Sequence, residues 1–590
     1  MAYGQLTAAA RHSGMRQQGA LLLLLVIALC GAMGLRLAWL QLLHGAENRA
    51  RADENRIRLM PRSPMRGRLL DRNGQVLATN RLTYKLYVQP REVSEARWPA
   101  LRDRLAQLLG IGAAQLDRKH REGANAEGFR IELAGPLSAE QVLRFREQAL
   151  NLSGAEVDVD VLRAYPNGRL GANVLGYTSG ITEEEYDRLQ SKGYRIRDRV
   201  GRSGLEKVFE SHLRGEWGGQ QVEVNAAGQV QRVLGDKQAK AGKDLHLTID
   251  LELQRTAERA LDGVRKGAIV AMDPQTGAIR ALASRPGFDP NVFSPAPSMA
   301  EWAALNGPDA PLLNRALQGF PPASTFKIVT SIAALESGAY QPSDKELTTG
   351  SFCYAGLCYR DHVNMGPIGF TQALAFSSNS FFYRAGLKIG PDPIFKAARM
   401  VGFGRPTGIE LEEEETAGLL GDRAWKKEAL GEPWTAVDTI TASIGQGAVL
   451  VSPLQMAVMY ATVANGGWLV KPHLVEQVPQ RTWLGFKPST IEAVRKGLRQ
   501  AVLEGTARAL NDPALPAAAG KTGTAEDPPR PVHAWFGGYA PVEKSALVIV
   551  ALGENTGGYG GTVAAPMAKA LMTTWFRGAA AANRPAGRSG

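Results

Sequence analysis

Residues Pro321–Ser337 read PPASTFKIVTSIAALES, and this stretch decides the fold of the second half of the chain. Its two prolines break the chain just before Ser324, because proline disfavours a helical conformation at the residue that precedes it. Hydrophobic residues then follow a helical period, at Phe326, Ile328, Val329, Ile332, Ala333 and Leu335. The pattern predicts that Ser324 lies on the first turn of a buried helix. Lys327 lies three residues further on, so its amine can approach the Ser324 hydroxyl.

A serine hydroxyl becomes a strong nucleophile only when a nearby base takes its proton. An ordinary lysine is protonated at neutral pH, so the site must lower the pKa of Lys327 through partial burial or through a second cation. Lys521 is the candidate for that cation. Free amide N–H groups at the helix start would also stabilise an oxyanion. Taken alone, Ser-x-x-Lys more often consists of a helix-capping serine and a surface lysine.

A second motif, Ser377-Ser378-Asn379, follows the apolar helical stretch 370–376 and precedes further apolar residues. A loop between two buried helices would hold the first and third side chains of this motif in a cleft. There the hydroxyl of Ser377 could relay protons, and the amide of Asn379 could bind a substrate backbone. Serine and asparagine are also common in turns, so ordinary turn chemistry is the alternative.

A third motif, Lys521-Thr522-Gly523-Thr524, precedes strand-like residues. It offers a cation, two hydroxyl groups and a glycine that lets the backbone come close to a ligand. These groups suit a terminal carboxylate and an oxyanion, although the same sequence could form a surface hairpin. The three motifs in this order favour one active site over three unrelated local structures.

Short strands and helices alternate after residue 240, where a second domain is predicted to begin. The predicted strands form two pairs, at residues 268–272 with 278–283 and at residues 534–539 with 546–552. Helical patterns, including residues 453–463, lie between the two pairs. The arrangement predicts an α/β domain over residues 241–576, with a central antiparallel sheet, helices on both faces and a helical subdomain.

The preceding region, residues 44–240, alternates helical stretches with short strands and glycine-rich turns, without an internal repeat. Helices are predicted at residues 98–109 and 183–190. We interpret this region as an α+β, non-catalytic pedestal module. At the other end of the chain, residues 577–590 are Ala, Gly, Arg and Pro for the most part and are predicted to form a disordered tail.

An apolar run at residues 19–43 is long enough to cross a membrane, since a hydrocarbon core of about 30 Å needs roughly 20 helical residues. Arg36 lies close enough to one end to reach the interface or a partner helix. Arg11 and Arg16 precede the run, so the positive-inside rule places residues 1–18 in the cytoplasm. The rest of a single-pass chain would then lie outside the cytoplasmic membrane. A cleaved signal peptide is the alternative.

The composition restricts the other classes of function. The net charge of +12 would suit an anionic partner, but no nucleic-acid motif is present, and a solvated basic surface explains the charge equally well. Three cysteines in 590 residues exclude a disulfide framework. Cys353 and Cys358 flank a short loop that a disulfide would close, and a zinc site with His362 and Asp361 is the alternative. We predict no metal and no cofactor.

The three motifs together resemble those of penicillin-binding proteins and β-lactamases, over roughly the last 340 residues. Four further stretches, at residues 67–74, 199–206, 444–447 and 557–561, resemble class B penicillin-binding proteins, and above all those that act in cell elongation. The resemblance implies a serine-type D,D-transpeptidase. Its substrates would be peptidoglycan stem peptides that end in D-Ala-D-Ala, and β-lactams would acylate it.

The resemblance assigns catalytic roles to Ser324 as nucleophile, Lys327 as its base, Ser377 as proton shuttle to the leaving D-Ala, Asn379 as binder of the donor peptide, and Lys521 as the cation that tunes the electrostatics. It assigns substrate binding to Thr522, Gly523 and Thr524, with the two threonines on the carboxylate. The backbone N–H groups of Ser324 and Thr524 would form the oxyanion hole.

The resemblance also implies a partner, a SEDS-family glycan polymerase of the RodA type, contacted through the membrane anchor and the membrane-proximal module. Two other functions share the motifs. A β-lactam hydrolase or sensor needs the same atoms for acylation, although the large module before residue 240 argues against it. A scaffold that activates the polymerase would not need Ser324. The chain has no Glu-Asp-x-x-Phe signature, so we do not expect it to polymerise glycan itself.

Overall fold

The computed structural model describes residues 5–40, 57–89, 92–124, 131–195, 198–224, 230–294 and 296–582. The chain forms two compact units. The larger unit comprises Met65–Leu82, Val161–Gly215 and Ala241–Gly590, and the smaller unit comprises Met1–Pro64, Thr83–Asp160 and Glu216–Lys240. The segments of the two units therefore alternate along the chain, whereas the sequence predicted one boundary near residue 240.

A five-stranded sheet forms the centre of the larger unit. Its strands are β1 (Lys266–Met272), β2 (Ile279–Arg285), β3 (Ala519–Asp527), β4 (Arg530–Ala540) and β5 (Leu547–Glu554). Their spatial order is β2-β1-β5-β4-β3, and every neighbouring pair is antiparallel. Both predicted strand pairs are confirmed. Strand β3, which carries the third motif, lies at an edge of the sheet.

Helices pack against the larger unit's sheet and build a helical region beside it. They are α1 (Leu251–Ala260), α2 (Lys327–Glu336), α3 (Phe370–Ala375), α4 (Asn379–Ile389), α5 (Pro391–Met400), α6 (Pro453–Ala464), α7 (Pro488–Leu503) and α8 (Ala564–Ala582). Helix α6 contains the predicted helix 453–463, and α8 extends to residue 582. The residues 577–582 that were predicted to be disordered are therefore helical, and residues 583–590 lie outside the described residues.

The sheet is buried on both faces, as a strand with continuous apolar residues predicts. Along β1, Val270 and Met272 belong to the same core cluster as α6, whereas Ile269 and Ala271 belong to the cluster that contains α1 and α8. Successive side chains of a strand point to opposite faces, so the two clusters are the two sides of the sheet. The predicted architecture of a central sheet between helices is confirmed.

Shorter elements complete the larger unit's C-terminal part. They are the helices Met299–Leu305, Arg423–Leu430 and Ala436–Ala442 and the strand pairs Lys345–Thr348 with Gly366–Gly369, Ser351–Tyr354 with Leu357–Arg360, Leu419–Leu420 with Val449–Leu450, and Trp468–Val470 with Arg481–Trp483. Cys353 lies opposite Cys358 in the second pair, and a disulfide joins them. The disulfide prediction is confirmed, and the zinc alternative, which needs free thiolates, is not supported.

The N-terminal segments of the larger unit contribute further short elements, namely strands Leu69–Leu70, Thr178–Gly180 and Arg199–Gly201 and helices Ala172–Leu175, Glu183–Leu189, Gly204–Val208 and Glu210–Leu213, and strand Leu245–His246 pairs with the first of these strands. A buried ion cluster joins these segments. The carboxylate of Glu206 is fully buried and accepts hydrogen bonds from Arg66 and Arg163, each at 2.6 Å. Burial raises the pKa of Glu206, but the two guanidinium groups outweigh it and leave the pKa below its ordinary value.

The smaller unit has two parts. Strands Ile57–Arg62, Gly218–Val224 and Val230–Lys237 form an antiparallel sheet. Helices Trp98–Leu109, Ala113–Ala124 and Ala139–Gln148 lie with strand Ile131–Leu137 and parts of strands Val76–Val88 and Ala155–Ala164 around a separate apolar core. The helix predicted at residues 98–109 is confirmed.

The N-terminal segment is a helix, Gln5–Ala38. Within the described part of the chain, no helix is both long and apolar enough to cross a membrane. Residues 41–43 of the predicted anchor, residues 19–43, lie outside the described residues.

Candidate active site

Ser324 lies in a tight turn rather than in the first turn of α2. Residues Ala323–Phe326 form a 3₁₀ helix, and α2 begins at Lys327. Ala323 has a φ of 47°, a left-handed conformation that costs energy for a residue other than glycine. Its N–H donates to the carbonyl of Gly445 at 2.9 Å. Ser324 therefore lies on the first turn of the helical segment, as predicted, but this turn is 3₁₀ and follows a strained residue that a contact from a distant loop fixes.

A residue of the central sheet also fixes the segment before Ser324. The indole N–H of Trp535, on β4, donates to the carbonyl of Pro321 at 2.9 Å. A Cβ on Gly445 would lie 2.4 Å from Cβ of Phe326 and 2.5 Å from the Ala323 carbonyl, so this position admits no larger residue without a backbone shift. Both contacts fix the turn that presents Ser324.

Lys327 is fully buried and makes three hydrogen bonds. Its Nζ donates to the Ser377 carbonyl at 2.7 Å, to the Ser377 hydroxyl at 3.3 Å and to Oδ1 of Asn379 at 2.6 Å. Burial lowers the pKa of Lys327 to about 7, while the Asp361 carboxylate opposes the shift. Among the hydrogen bonds of the described residues, none joins the Ser324 hydroxyl to Lys327. The first and second motifs nevertheless meet at this amine.

The second motif connects α3 to α4, as predicted. Ser377 has a φ of 61°, so this residue is strained in the same sense as Ala323. The hydroxyl of Ser378 caps α4 by accepting from the Phe381 N–H, and Asn379 is the first residue of that helix. The outer side chains of the motif, Ser377 and Asn379, both contact Lys327.

Lys521 is also fully buried, on edge strand β3. Its Nζ donates to the Thr522 carbonyl at 2.9 Å. Burial lowers the pKa of Lys521 well below its ordinary value, and repulsion by Lys327 lowers it further. Burial is the largest cause of the lowered pKa at both amines, and the two amines repel each other when both are charged. The contribution of Lys521 to the lowered pKa of Lys327 stays a prediction.

Gly523 lets β3 approach the serine turn closely. A Cβ at this position would lie 3.2 Å from the Pro322 carbonyl oxygen and 3.2 Å from Cγ2 of Thr325. Gly560 packs on the strand in a similar way, because a Cβ there would lie 2.5 Å from the Gly523 carbonyl oxygen. The third motif therefore runs directly beside the turn that carries Ser324.

The hydroxyl groups of both threonines of the third motif are hydrogen-bonded. The hydroxyl of Thr522 donates to the hydroxyl of Thr506 at 2.6 Å, and the Gly560 N–H donates to the Thr524 hydroxyl at 3.4 Å. Their role as carboxylate ligands stays a prediction. A cavity of about 490 Å³ opens nearby, lined in part by Thr506, Phe376 and His362.

Sequence reasoning missed two residues of this site. Asp361 accepts hydrogen bonds from Ser378 and Ser380, and it was considered only as a zinc ligand. Thr506 follows a glycine after α7 and belongs to none of the three motifs. The only signal for Asp361 was its position directly after the disulfide-closed strand pair.

The chain is similar to known proteins in sequence and in structure. A family model described as the penicillin-binding protein transpeptidase domain matches residues 267–573, and one described as the penicillin-binding protein dimerisation domain matches residues 61–247. The chain is 32% identical to the peptidoglycan D,D-transpeptidase MrdA of Acinetobacter baumannii, over 94% of this chain and 86% of that protein.

Two solved structures are also similar. Penicillin-binding protein 2 of Helicobacter pylori, in complex with MreC, has a TM-score of 0.80 and 25% identity, over 88% of this chain and 99% of that chain. A chain from a peptidoglycan synthase complex, described as coordinating polymerisation and crosslinking, has a TM-score of 0.72 and 34% identity, over 97% of this chain and 99% of that chain.

The chain belongs to the penicillin-binding proteins, with a dimerisation domain and a transpeptidase domain. Within that class it is similar to the penicillin-binding protein 2 group, and it is a peptidoglycan D,D-transpeptidase.

Proposed function

We propose that this transpeptidase works through an acyl-enzyme formed on Ser324. The observation that supports this most directly is the state of Lys327, a buried amine with a pKa of about 7, three residues from Ser324 and hydrogen-bonded to Ser377 and Asn379. A lysine with this pKa is a free base for a large fraction of the time at neutral pH. It can therefore take the proton of a serine hydroxyl.

In the acylation step, the Ser324 oxygen attacks the carbonyl carbon of the penultimate D-Ala, and the hydroxyl proton passes to Lys327. The backbone N–H groups of Ser324 and Thr524 stabilise the oxyanion of the tetrahedral intermediate. The bond to the terminal D-Ala then breaks, and Ser377 passes a proton from Lys327 to the leaving amine. An ester on Ser324 and one free D-Ala result.

The second step transfers the donor peptide to an acceptor. The amine of another stem peptide attacks the ester carbonyl, gives up one proton to Lys327, and forms the cross-linking amide while Ser324 recovers its proton. Water in place of the amine would complete a hydrolysis. A β-lactam hydrolase would differ from a transpeptidase in this step alone.

Peptide binding follows from the remaining residues of the motifs. Oδ1 of Asn379 accepts from Lys327, so its Nδ2 can donate to a peptide carbonyl. Strand β3 is an edge strand, and a donor peptide can add to it through backbone hydrogen bonds. In this proposal Lys521 tunes the electrostatics of the site, while Thr522 and Thr524 hold the carboxylate and Gly523 allows the close approach.

We further propose that the protein acts in cell elongation as a single-pass protein of the cytoplasmic membrane. The apolar run at residues 19–43 supports an anchor, and Leu22, Leu23 and Leu24 each expose about 60% of their surface. In this proposal residues 1–18 lie in the cytoplasm, residues 44–240 form the pedestal, and residues 241–576 form the catalytic domain on the outer side. Membrane extraction of the full chain beside a variant without residues 1–43 tests the anchor.

A SEDS polymerase of the RodA type is the proposed partner, through the anchor and the membrane-proximal module. The similarity to a chain of a peptidoglycan synthase complex supports it. A scaffold that only activates such a polymerase is the second candidate function. Ser324→Ala separates the two roles. It should abolish cross-linking, which needs the nucleophile, and leave glycan polymerisation by the complex unchanged, because a scaffold does not need Ser324.

Labelling with a fluorescent penicillin tests the nucleophile. Wild type should form a stable adduct that peptide mapping places on Ser324, and Ser324→Ala should form none. Ser337→Ala is the matched control, since this hydroxyl lies at the far end of α2, where it donates to the Ala334 carbonyl and accepts from the Ala339 N–H. An adduct on another residue, or equal labelling of Ser324→Ala, would refute the proposal, and rapid loss of the label would favour a hydrolase.

A further inference from the structure

Asp361 is a buried carboxylate outside the three motifs. It directly follows the disulfide-closed strand pair, and its side chain is completely shielded from solvent. A buried carboxylate is costly unless hydrogen bonds or an opposite charge compensate it. The contacts that compensate Asp361 therefore indicate what the residue does.

Three donors converge on one oxygen of this carboxylate. Oδ2 of Asp361 accepts from the Ser378 hydroxyl at 2.7 Å, from the Ser380 N–H at 2.7 Å and from the Ser380 hydroxyl at 2.6 Å. The two serines flank Asn379, whose own Oδ1 accepts from Lys327 at 2.6 Å. Asp361 thus holds the chain on both sides of the residue that binds the proposed base.

The same contacts support a strained segment. Ser377 has a φ of 61°, and such a conformation persists only when surrounding contacts fix it. The Ser378 hydroxyl caps α4 through the Phe381 N–H, and Asp361 accepts the Ser380 N–H of the same helix start. The buried charge therefore ties the start of α4 to the strained residue before it, and both carry side chains that contact Lys327.

In the part of the chain that the structure describes, three other titratable groups lie around Asp361 and Lys327. Lys327 is approached by Asp361 and by the amine of Lys521. On the other side of Asp361 lie His362, with Nδ1 at 3.5 Å from Oδ1, and Tyr383 on α4. Burial raises the pKa of Asp361, but the hydrogen bonds from Ser380 and Ser378 outweigh it and leave the pKa below its ordinary value. The carboxylate is therefore ionised at neutral pH.

We propose that Asp361 is a positioning residue for the transpeptidase reaction, holding Ser377 and Asn379 against Lys327 through its hydrogen bonds to Ser378 and Ser380. This inference rests on the proposed function. It predicts two separable effects. Loss of the hydrogen bonds displaces the loop, and loss of the negative charge lowers the pKa of Lys327.

Two variants separate these effects. Asp361→Ala removes the acceptors, and acylation by a fluorescent penicillin at saturating concentration should slow by about 100-fold, the cost of misplacing a catalytic group by roughly 1 Å. Asp361→Asn keeps an acceptor oxygen and removes the charge, so the acid limb of its acylation rate should move to lower pH than in wild type. Asp344→Asn is the matched control, a half-buried carboxylate that bonds to the Gln341 N–H.

The acylation rates and their pH dependence distinguish a positioning role of Asp361 from a purely structural one. A fold defect alone would lower the thermal midpoint and the fraction of protein that is labelled, but it would not move the pH limb of the folded fraction. If Asp361→Ala does not fold, Ser380→Ala removes one donor alone and should slow acylation by about tenfold. Wild-type rates and an unmoved pH limb in the folded variants would overturn the inference. If wild type itself is not acylated on Ser324, the proposed function fails instead.

Discussion

The pH dependence of acylation follows from the burial of Lys327. The reactive form is the free amine, and the pKa of this amine is about 7 instead of the ordinary 10.5. About 90% of the lysine is then free base at pH 8 and about 10% at pH 6, so the acylation rate constant should fall roughly tenfold between these values and level off above pH 8. With an ordinary lysine the rate would keep rising tenfold per pH unit up to about pH 10.

The assay is the second-order rate constant for labelling by a fluorescent penicillin, measured from pH 5.5 to 9. Lys327→Arg keeps the positive charge but cannot lose its proton in this range, so it should not be acylated at any of these pH values. In Lys521→Met the rate should fall, but the midpoint should stay near pH 7, because burial is the largest cause of the lowered pKa of Lys327. A rate that is flat between pH 6 and 8, or that still rises beyond pH 9, would refute this account of the base.

Two stability predictions concern close packing and buried charge. Gly560→Ala should lower the free energy of unfolding by about 1–3 kcal/mol, because its Cβ would lie 2.2 Å from the Trp535 carbonyl oxygen, and Gly263→Ala, with no atom near its Cβ, should not. Glu206→Gln should lower it by about 3–5 kcal/mol, because Arg163 loses its buried carboxylate partner and Arg66 keeps Glu210 but loses Glu206, whereas exposed Glu252→Gln should change little. Urea denaturation checks both, and equal stability of each variant and its control would contradict the packing described.

Local patterns predicted most of the catalytic elements. The hydrophobic period of α2, the alternation in the two strand pairs and the loop between α3 and α4 each involve residues that are close in sequence. These elements can therefore be predicted from the sequence alone. The order of the three motifs favours one active site, but no local pattern states that Lys327 contacts Ser377 and Asn379, about fifty residues away.

The features that could not be predicted depend on distant contacts. The strained turn at Ala323 is fixed by Gly445, and the role of Asp361 depends on serines that follow it by 17 and 19 residues. The interleaved units share this property, since the segments Met65–Leu82 and Val161–Gly215 join the larger unit through long-range packing and have no compositional signal. Hydrophobic periodicity predicts the helices and strands, whereas their contacts with residues distant in sequence are visible only in the tertiary structure.

The most direct test of the central claim is cross-linking by the purified full-length protein on uncross-linked, pentapeptide-bearing glycan, with release of D-Ala and formation of cross-links counted together. The account predicts one D-Ala released per cross-link in wild type and in Ser337→Ala, and neither product in Ser324→Ala. If Ser324→Ala still forms cross-links and releases D-Ala, Ser324 is not the nucleophile and the acyl-enzyme mechanism is wrong.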